Sequence, residues 1–407
     1  MTKMQESVAN RAWGTKLVPG DTNSSRNLHD GVSWGDATAT GTAFDFRTDA
    51  ITTPSINQLA AISRATLNDD VFGEDKTTTL FERHIADICG KEAAAFVISG
   101  TMANQLALRA LLHQPPHGII ADVSSHVVNF EAGGLAHFGG AMVQAVQPSN
   151  GLYLTLDDIR KHAKVSDALE ICPTRVISLE NTAHGNVIPL QQLQRIRDWT
   201  SSHGTAVHID GARIWDAVAS SGATLKQIAA CTDAMTLSFA KGLGAPIGAM
   251  IVGSKDLIHR AKRLRQSIGG GVRKAGVLTV AAREALLESF GPGDVDVKGV
   301  ARAIHDMAAA VAGMWTSRGG YLLRPVETNM VWLDLPSAGI SAASVDDLAM
   351  RRGLLTAAPR IVLHHQISAK ALMSLEHVFD DLLAHKEMRI DEMTEVKIMR
   401  KGCVQAL

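Results

Sequence analysis

Ala94-Ala95-Phe96-Val97-Ile98-Ser99-Gly100-Thr101 runs from five apolar residues into a turn of small ones, and residues 102–112 then repeat apolar positions at helical spacing. An unbroken apolar run closed by a turn reads as a buried strand, and the pattern after it as a helix packed against that strand. The same alternation recurs outward from this stretch. Short apolar runs at 118–122, 175–180, 206–210, 234–239 and 249–252 are separated by helical patterns such as 190–202. Strands alternating with helices predict the α/β class, a mainly parallel sheet with helices on both faces. In such sheets ligands lie beyond the strand ends.

Residues 1–43 are rich in Gly, Ser, Thr, Asn and Asp without an apolar period, and read as a mostly irregular extension. Residues 44–300 form the predicted large domain. A helical pattern over 297–318 ends at Gly319-Gly320, and 329–336 reads as a strand opening a smaller α+β domain over 301–390. Residues 391–407 read as a charged tail.

The 407 residues carry 40 Lys and Arg against 41 Asp and Glu, a formal charge of −1, which leaves no overall electrostatic case for binding nucleic acid or an anionic membrane. No apolar run approaches the ~20 residues of a membrane span, and the first residues lack the apolar stretch of a secretory signal, so a cytoplasmic location is expected. Cys89, Cys172, Cys231 and Cys403 show no zinc-binding spacing and read as free thiols. No metal site is expected. Gly31-Val32-Ser33-Trp34-Gly35 matches the G-x-S-x-G pattern of a hydrolase but lacks the strand before it and the helix after it that a nucleophile elbow needs.

Four segments carry residues suited to chemistry. Ser99-Gly100-Thr101, between strand and helix, presents free backbone N–H groups where an anion such as phosphate would be held; small residues at such turns are also common without a ligand. Asp210, in His208-Ile209-Asp210-Gly211-Ala212-Arg213, closes an apolar strand, where a carboxylate either pairs with a positive group or caps the next helix. Lys241, in Ser238-Phe239-Ala240-Lys241-Gly242-Leu243-Gly244, ends another strand. There it is either solvated or desolvated, with a lowered pKa that suits imine formation. The glycines that follow are spaced one residue too long for a dinucleotide fingerprint. Gly269-Gly270-Gly271-Val272-Arg273 delivers a guanidinium on a flexible turn. Together these supply what pyridoxal phosphate needs: an anion cradle, a partner for the pyridine nitrogen and an imine-forming amine.

With Phe46-Arg47-Thr48-Asp49, Asp69-Asp70-Val71-Phe72-Gly73-Glu74-Asp75, Phe130-Glu131-Ala132-Gly133-Gly134 and Glu180-Asn181-Thr182 added, residues 44–385 resemble the low-specificity L-threonine aldolases. These are pyridoxal 5'-phosphate enzymes of the aspartate-aminotransferase fold (fold type I), with a mainly parallel seven-stranded sheet in the large domain. The resemblance implies that Lys241 is the Schiff-base lysine and Asp210 the pyridine-nitrogen carboxylate. Gly100, Thr101 and Arg273 match phosphate binders. His126 corresponds to the histidine stacked on the cofactor ring near the substrate hydroxyl. Arg213 and Arg360 match groups holding the cofactor and the substrate carboxylate, and Thr48 stands where a serine usually approaches that carboxylate. The resemblance further implies an amino-acid substrate and a homodimer or homotetramer with active sites at the subunit boundary.

The expected reaction is cleavage of the Cα–Cβ bond of β-hydroxy amino acids, taking L-threonine or L-allo-threonine to glycine and acetaldehyde. Four departures surround the chemistry: Ala240 for a usual serine, Ala183 for histidine or leucine, Ala50 for threonine and Lys274 for glutamine. Ala183 removes one candidate for handling the β-hydroxyl proton and leaves His126 or a water. These changes raise an alternative on the same scaffold, an alanine racemase like the fungal relatives that supply D-alanine for peptide synthesis. A ligand sensor without turnover is disfavoured, because 1–43 is too short and too poor in Lys and Arg for a DNA-binding domain.

Overall fold

A computed structural model describes residues 41–166, 168–291 and 299–384. The G-x-S-x-G match, Cys403, the proposed tail and nearly all of the N-terminal extension lie outside them.

Seven strands build the main sheet: β1 (Ala93–Val97), β2 (Gly118–Asp122), β3 (Met142–Val146), β4 (Thr174–Glu180), β5 (Ala206–Gly211), β6 (Ala234–Ser238) and β7 (Ala249–Gly253). Their order is β1-β7-β6-β5-β4-β2-β3. All neighbours run parallel except β7, which is antiparallel to both β1 and β6. The unbroken apolar runs read from the sequence are strands buried on both faces, as a sheet covered by helices on each side requires. Alternation decides which face each residue serves. Phe96, Ile120, Ile177, Leu179, Met250 and Val252 enter one core with the helices Lys76–Cys89, Leu190–Ser202 and Gly276–Phe290. Their neighbours Ala95, Val97, Ile119, Val176, Ala249 and Ile251 enter another with Gly100–Leu111 and Lys255–Ser267.

β3 has no counterpart among the sequence-predicted strands. It is an edge strand whose Met142 is 65% exposed, so its pattern lacks the unbroken apolar run that marks the inner strands.

A third core belongs to the C-terminal part. It joins the helix Val300–Thr316, the antiparallel pair β8 (Met330–Trp332) and β9 (Arg360–Val362), and the helical residues 369–384 around Trp315 and Phe379. Phe46 packs into this core too, because the segment before Arg47 runs alongside Leu355. The strand expected over 329–336 is shorter than expected. Asp334 caps a new helical turn, Leu335–Ala338, by accepting from Ser337 N, with Pro336 in its first turn, where a missing N–H costs nothing.

Candidate active site

Parallel pairing of β4, β5 and β6 puts Glu180, Asp210 and Thr236 side by side at the carboxyl end of the sheet. This close approach needs Gly211: a Cβ there would lie 2.3 Å from the Thr236 carbonyl oxygen. Asp210 is buried, and each of its oxygens already accepts one hydrogen bond, Oδ2 from Asn104 Nδ2 at 2.7 Å and Oδ1 from Ala212 N at 2.9 Å. Asn104 comes from the helix Gly100–Leu111. Its Oδ1 accepts from Thr236 Oγ1 at 2.8 Å, and its amide nitrogen also donates to Glu131 Oε1 at 2.9 Å.

Glu131 ties this network to His126. His126 Nδ1 lies 2.8 Å from Glu131 Oε1, and a carboxylate only accepts, so Nδ1 carries the proton. The hydrogen bond to Glu131 raises the His126 pKa above its ordinary value, against burial and with help from Asp210. Its backbone N–H donates to Glu180 Oε2 at 2.9 Å. Burial, then the charge of Asp210, pushes Glu180 up to about 7. The donor atoms of His126, Glu131 and Asp210 lie within 4.8 Å of one another, and the carboxylate oxygens among them are held by N–H donors from Asn104, Gln105, His126 and Ala212.

Lys241 follows β6 in a turn pinned at its own carbonyl, which accepts from Thr52 Oγ1 at 2.6 Å and Gly244 N at 2.8 Å. Its Nζ makes no hydrogen bond or ion pair among the described residues. Burial and the Arg213 charge lower its pKa, with Asp210, Asp49 and Glu180 opposing. Arg213 is itself fixed by a bidentate pair with Asp49, Nε to Oδ2 at 2.8 Å and Nη2 to Oδ1 at 2.5 Å. Burial alone would raise the Asp49 pKa, but Arg213, Lys241 and Asn329 outweigh it and hold Asp49 at about 2.

Thr48 precedes Asp49 and caps the short turn Asp49–Ile51, its Oγ1 accepting from Ala50 N at 3.2 Å. Arg360 opens β9; it donates to the Arg47 carbonyl at 3.1 Å and lies 5.8 Å from the Trp332 ring centre. Burial and Arg213 lower its pKa. Arg273 stands apart. It pairs with Asp69 and stacks on Phe72 at 5.6 Å, although its glycine turn touches Met102 at the start of the Gly100 helix.

The structure therefore brings Lys241, Asp210, His126, Arg213, Arg360 and Thr48 into one neighbourhood, with Gly100 and Thr101 opening the helix that carries Asn104 to Asp210. Asp49, Asn104, Glu131, Glu180 and Thr236 are additions that were not singled out as site residues in the sequence. Asn104 left one signal: it lies four residues after Gly100, a polar residue in a helix whose other buried positions are mostly apolar.

These residues fit pyridoxal phosphate. A Cβ built on Gly100 meets no atom within 4 Å, which leaves open space at the helix N-terminus for an anion. Asp210 retains lone pairs for a pyridine N–H, and the Lys241 amine is uncommitted.

Residues 45–338 match the model of the Beta-eliminating lyase family. The chain belongs to this family. It is 46% identical over 353 residues to alanine racemase TOXG of Cochliobolus carbonum, covering 86% of this chain and 90% of that one. It is 39% identical over 370 residues to a low-specificity L-threonine aldolase of Eremothecium gossypii, covering 90% and 95%. Leishmania major threonine aldolase superposes with a TM-score of 0.70 at 20% identity over 84% of this chain and 99% of that one, a likeness of fold. This member of the family is thus a pyridoxal-phosphate-dependent lyase of fold type I. No helix among its described residues is long and apolar enough to cross a membrane.

Proposed function

We propose that the enzyme cleaves the Cα–Cβ bond of β-hydroxy amino acids, releasing glycine and an aldehyde. The observation that carries this is the partly buried Lys241 amine, without a bonded partner among the described residues and within the fields of Arg213 and the hydrogen-bonded Asp210 carboxylate. When bound, pyridoxal phosphate supplies an electron-withdrawing ring that accepts the electron pair released at the substrate Cα. Lys241 would hold its aldehyde, Asp210 its ring N–H, and the first-turn N–H groups at Gly100 and Thr101 its phosphate, with Arg273 contributing once released from Asp69. Arg213, immobilised by Asp49, and Arg360, with Thr48 beside them, orient the substrate carboxylate and so decide which Cα bond stands perpendicular to the ring. His126 keeps Nδ1 on Glu131, which leaves Nε2 to take up the β-hydroxyl proton.

Incubation of the purified enzyme with L-threonine and L-allo-threonine is expected to release acetaldehyde and glycine in equal amounts. Racemisation of L-alanine with no aldehyde from either substrate would overturn the proposal in favour of the racemase reading. Ala183 and the 46% identity to an alanine racemase support that second reading. In it Lys241 works on one face of Cα and His126 on the other. Lys241→Ala is expected to abolish both reactions, and an active variant would show that the amine is misassigned.

We further propose a cytoplasmic location and a homodimer or homotetramer with active sites at the subunit boundary.

A further inference from the structure

Arg324, in the loop ahead of β8, makes no hydrogen bond or ion pair with any described residue, yet its Nε and Nη1 are shut off from solvent. Enclosed guanidinium N–H groups without an acceptor are costly, and their persistence calls for an explanation such as a ligand. The guanidinium stacks on Trp332, with Cζ 5.1 Å from the ring centre, and Arg360 flanks the same indole at 5.8 Å.

Trp332 anchors this arrangement to the segment that follows β4. Its Nε1 donates to the His184 carbonyl at 2.9 Å, and the His184 ring meets the indole edge-on at 5.7 Å. Two further bonds hold the Arg324 loop to that segment, Asn186 Nδ2 to the Pro325 carbonyl at 3.0 Å and Val187 N to Glu327 Oε2 at 2.7 Å. The segment starts at Ala183, three residues beyond Glu180. A small recess at the carboxyl ends of β2 and β4 is lined by Asp122, Glu180, Ala183 and His184, the last of which Trp332 contacts. Asp122 is the carboxylate that acts on Arg324, but it forms no ion pair with it; its Oδ1 instead accepts from Ser124 N and Oγ.

The α-carboxylate already has Arg213 and Arg360. A third guanidinium, unpaired and sharing the Trp332 indole with Arg360, matches a second carboxylate on the same substrate. We propose that Arg324 is a specificity-determining residue that receives a carboxylate at the end of the substrate side chain, making acidic β-hydroxy amino acids the substrate class. This rests on the reading above for the α-carboxylate at Arg213 and Arg360 and for the β-hydroxyl, but not on cleavage, which the side-chain contact does not require.

The test titrates the holoenzyme with L-aspartate and with L-alanine, following the cofactor absorption spectrum. Wild-type enzyme is expected to bind L-aspartate more tightly. Arg324→Met is expected to raise the Kd for L-aspartate about tenfold or more while leaving that for L-alanine within about twofold, and Arg324→Lys to recover part of the loss. Equal weakening of both ligands, or of neither, overturns the proposal. Should the methionine variant not fold, Arg324→Gln keeps a planar group over Trp332 and serves the same comparison. Glyoxylate release from threo-β-hydroxy-L-aspartate is assayed beside acetaldehyde release from L-threonine. Aspartate selectivity without either product would sink the cleavage reading and leave Arg324 standing; cleavage without that selectivity would do the reverse.

Discussion

Two of this enzyme's arginine–aspartate pairs hold arginines expected at the site, and they differ in what can leave them. Arg213 and Asp49 are 14% and 0% exposed, joined through two hydrogen bonds, with Asn329 Nδ2 completing Asp49 Oδ2 at 3.1 Å. Arg273 and Asp69 are 61% and 16% exposed, and the arginine needs only water to replace its partner. Burial turns the first pair into a fixed wall of the site, because either member alone would be a stranded charge. The second pair stays exchangeable, which suits a cation that must let go of a carboxylate to hold a phosphate.

The largest expected effect comes from breaking the buried pair. Asp49→Asn keeps the shape but leaves Arg213 enclosed without its counter-charge, at a cost of about 3–5 kcal/mol in unfolding free energy measured by denaturant titration. Loss of the Arg213 anchor is expected to lower catalysis by about a hundredfold or more. Because Asp49 sits near 2, below its ordinary 3.8, its stabilisation is full above the ordinary value and disappears as pH falls through about 2. The variant is expected to lose that acid dependence. A neutral outcome would erase the contrast between the two pairs.

Glu180 sharpens the contrast, since it is an enclosed acid with no cation in contact. Burial and Asp210 push it to about 7, against the His126 N–H, Lys241 and Arg213, which pull it down. The folded state therefore binds a proton that the unfolded state releases from about 4.5 upward. Stability of the apoprotein is expected to fall as pH rises from about 4.5 to about 7, and Glu180→Gln to flatten that slope. Unfolding midpoints taken across that range check it, and an unchanged slope would mean that the proton sits elsewhere.

Arg360 belongs to neither pair, for its contacts are a backbone carbonyl and an indole face. Arg360→Ala is expected to raise KM for amino acids about tenfold with little change in pyridoxal phosphate affinity. Equal loss of both would make Arg360 a structural support of β9.

The same difference in burial governs what could be read from residues alone. Inner strands announce themselves because both faces are covered, so every residue of a run such as 118–122 must be apolar or small until Asp122 ends it. Edge strand β3 meets solvent and carries no such mark. Within the site, Asp210 and Lys241 were legible as polar residues closing apolar strands. Asp49, Glu131 and Asn104 act through contacts spanning 164, 27 and 106 positions, and no local pattern encodes which distant partner a carboxylate or amide will meet. Arg273 shows the opposite case, where a recognisable turn delivers the residue but its partner in this state is Asp69.

The smallest effect is expected at that exposed pair. Asp69→Asn retains the oxygen that accepts from Val71 N at 2.9 Å, so the turn over residues 69–73 keeps its hydrogen bond. Arg273 loses an ionic partner but remains over Phe72 and in contact with water. The thermal midpoint is expected to stay within measurement error of wild type, and pyridoxal phosphate to bind as tightly or more tightly, since one competitor for the guanidinium has been removed. Both quantities come from one series of melts against cofactor concentration. A midpoint loss as large as that of Asp49→Asn would mean that exposure does not decide which pair can be exchanged, and weaker cofactor binding would mean that Asp69 steers Arg273 toward the phosphate instead of withholding it.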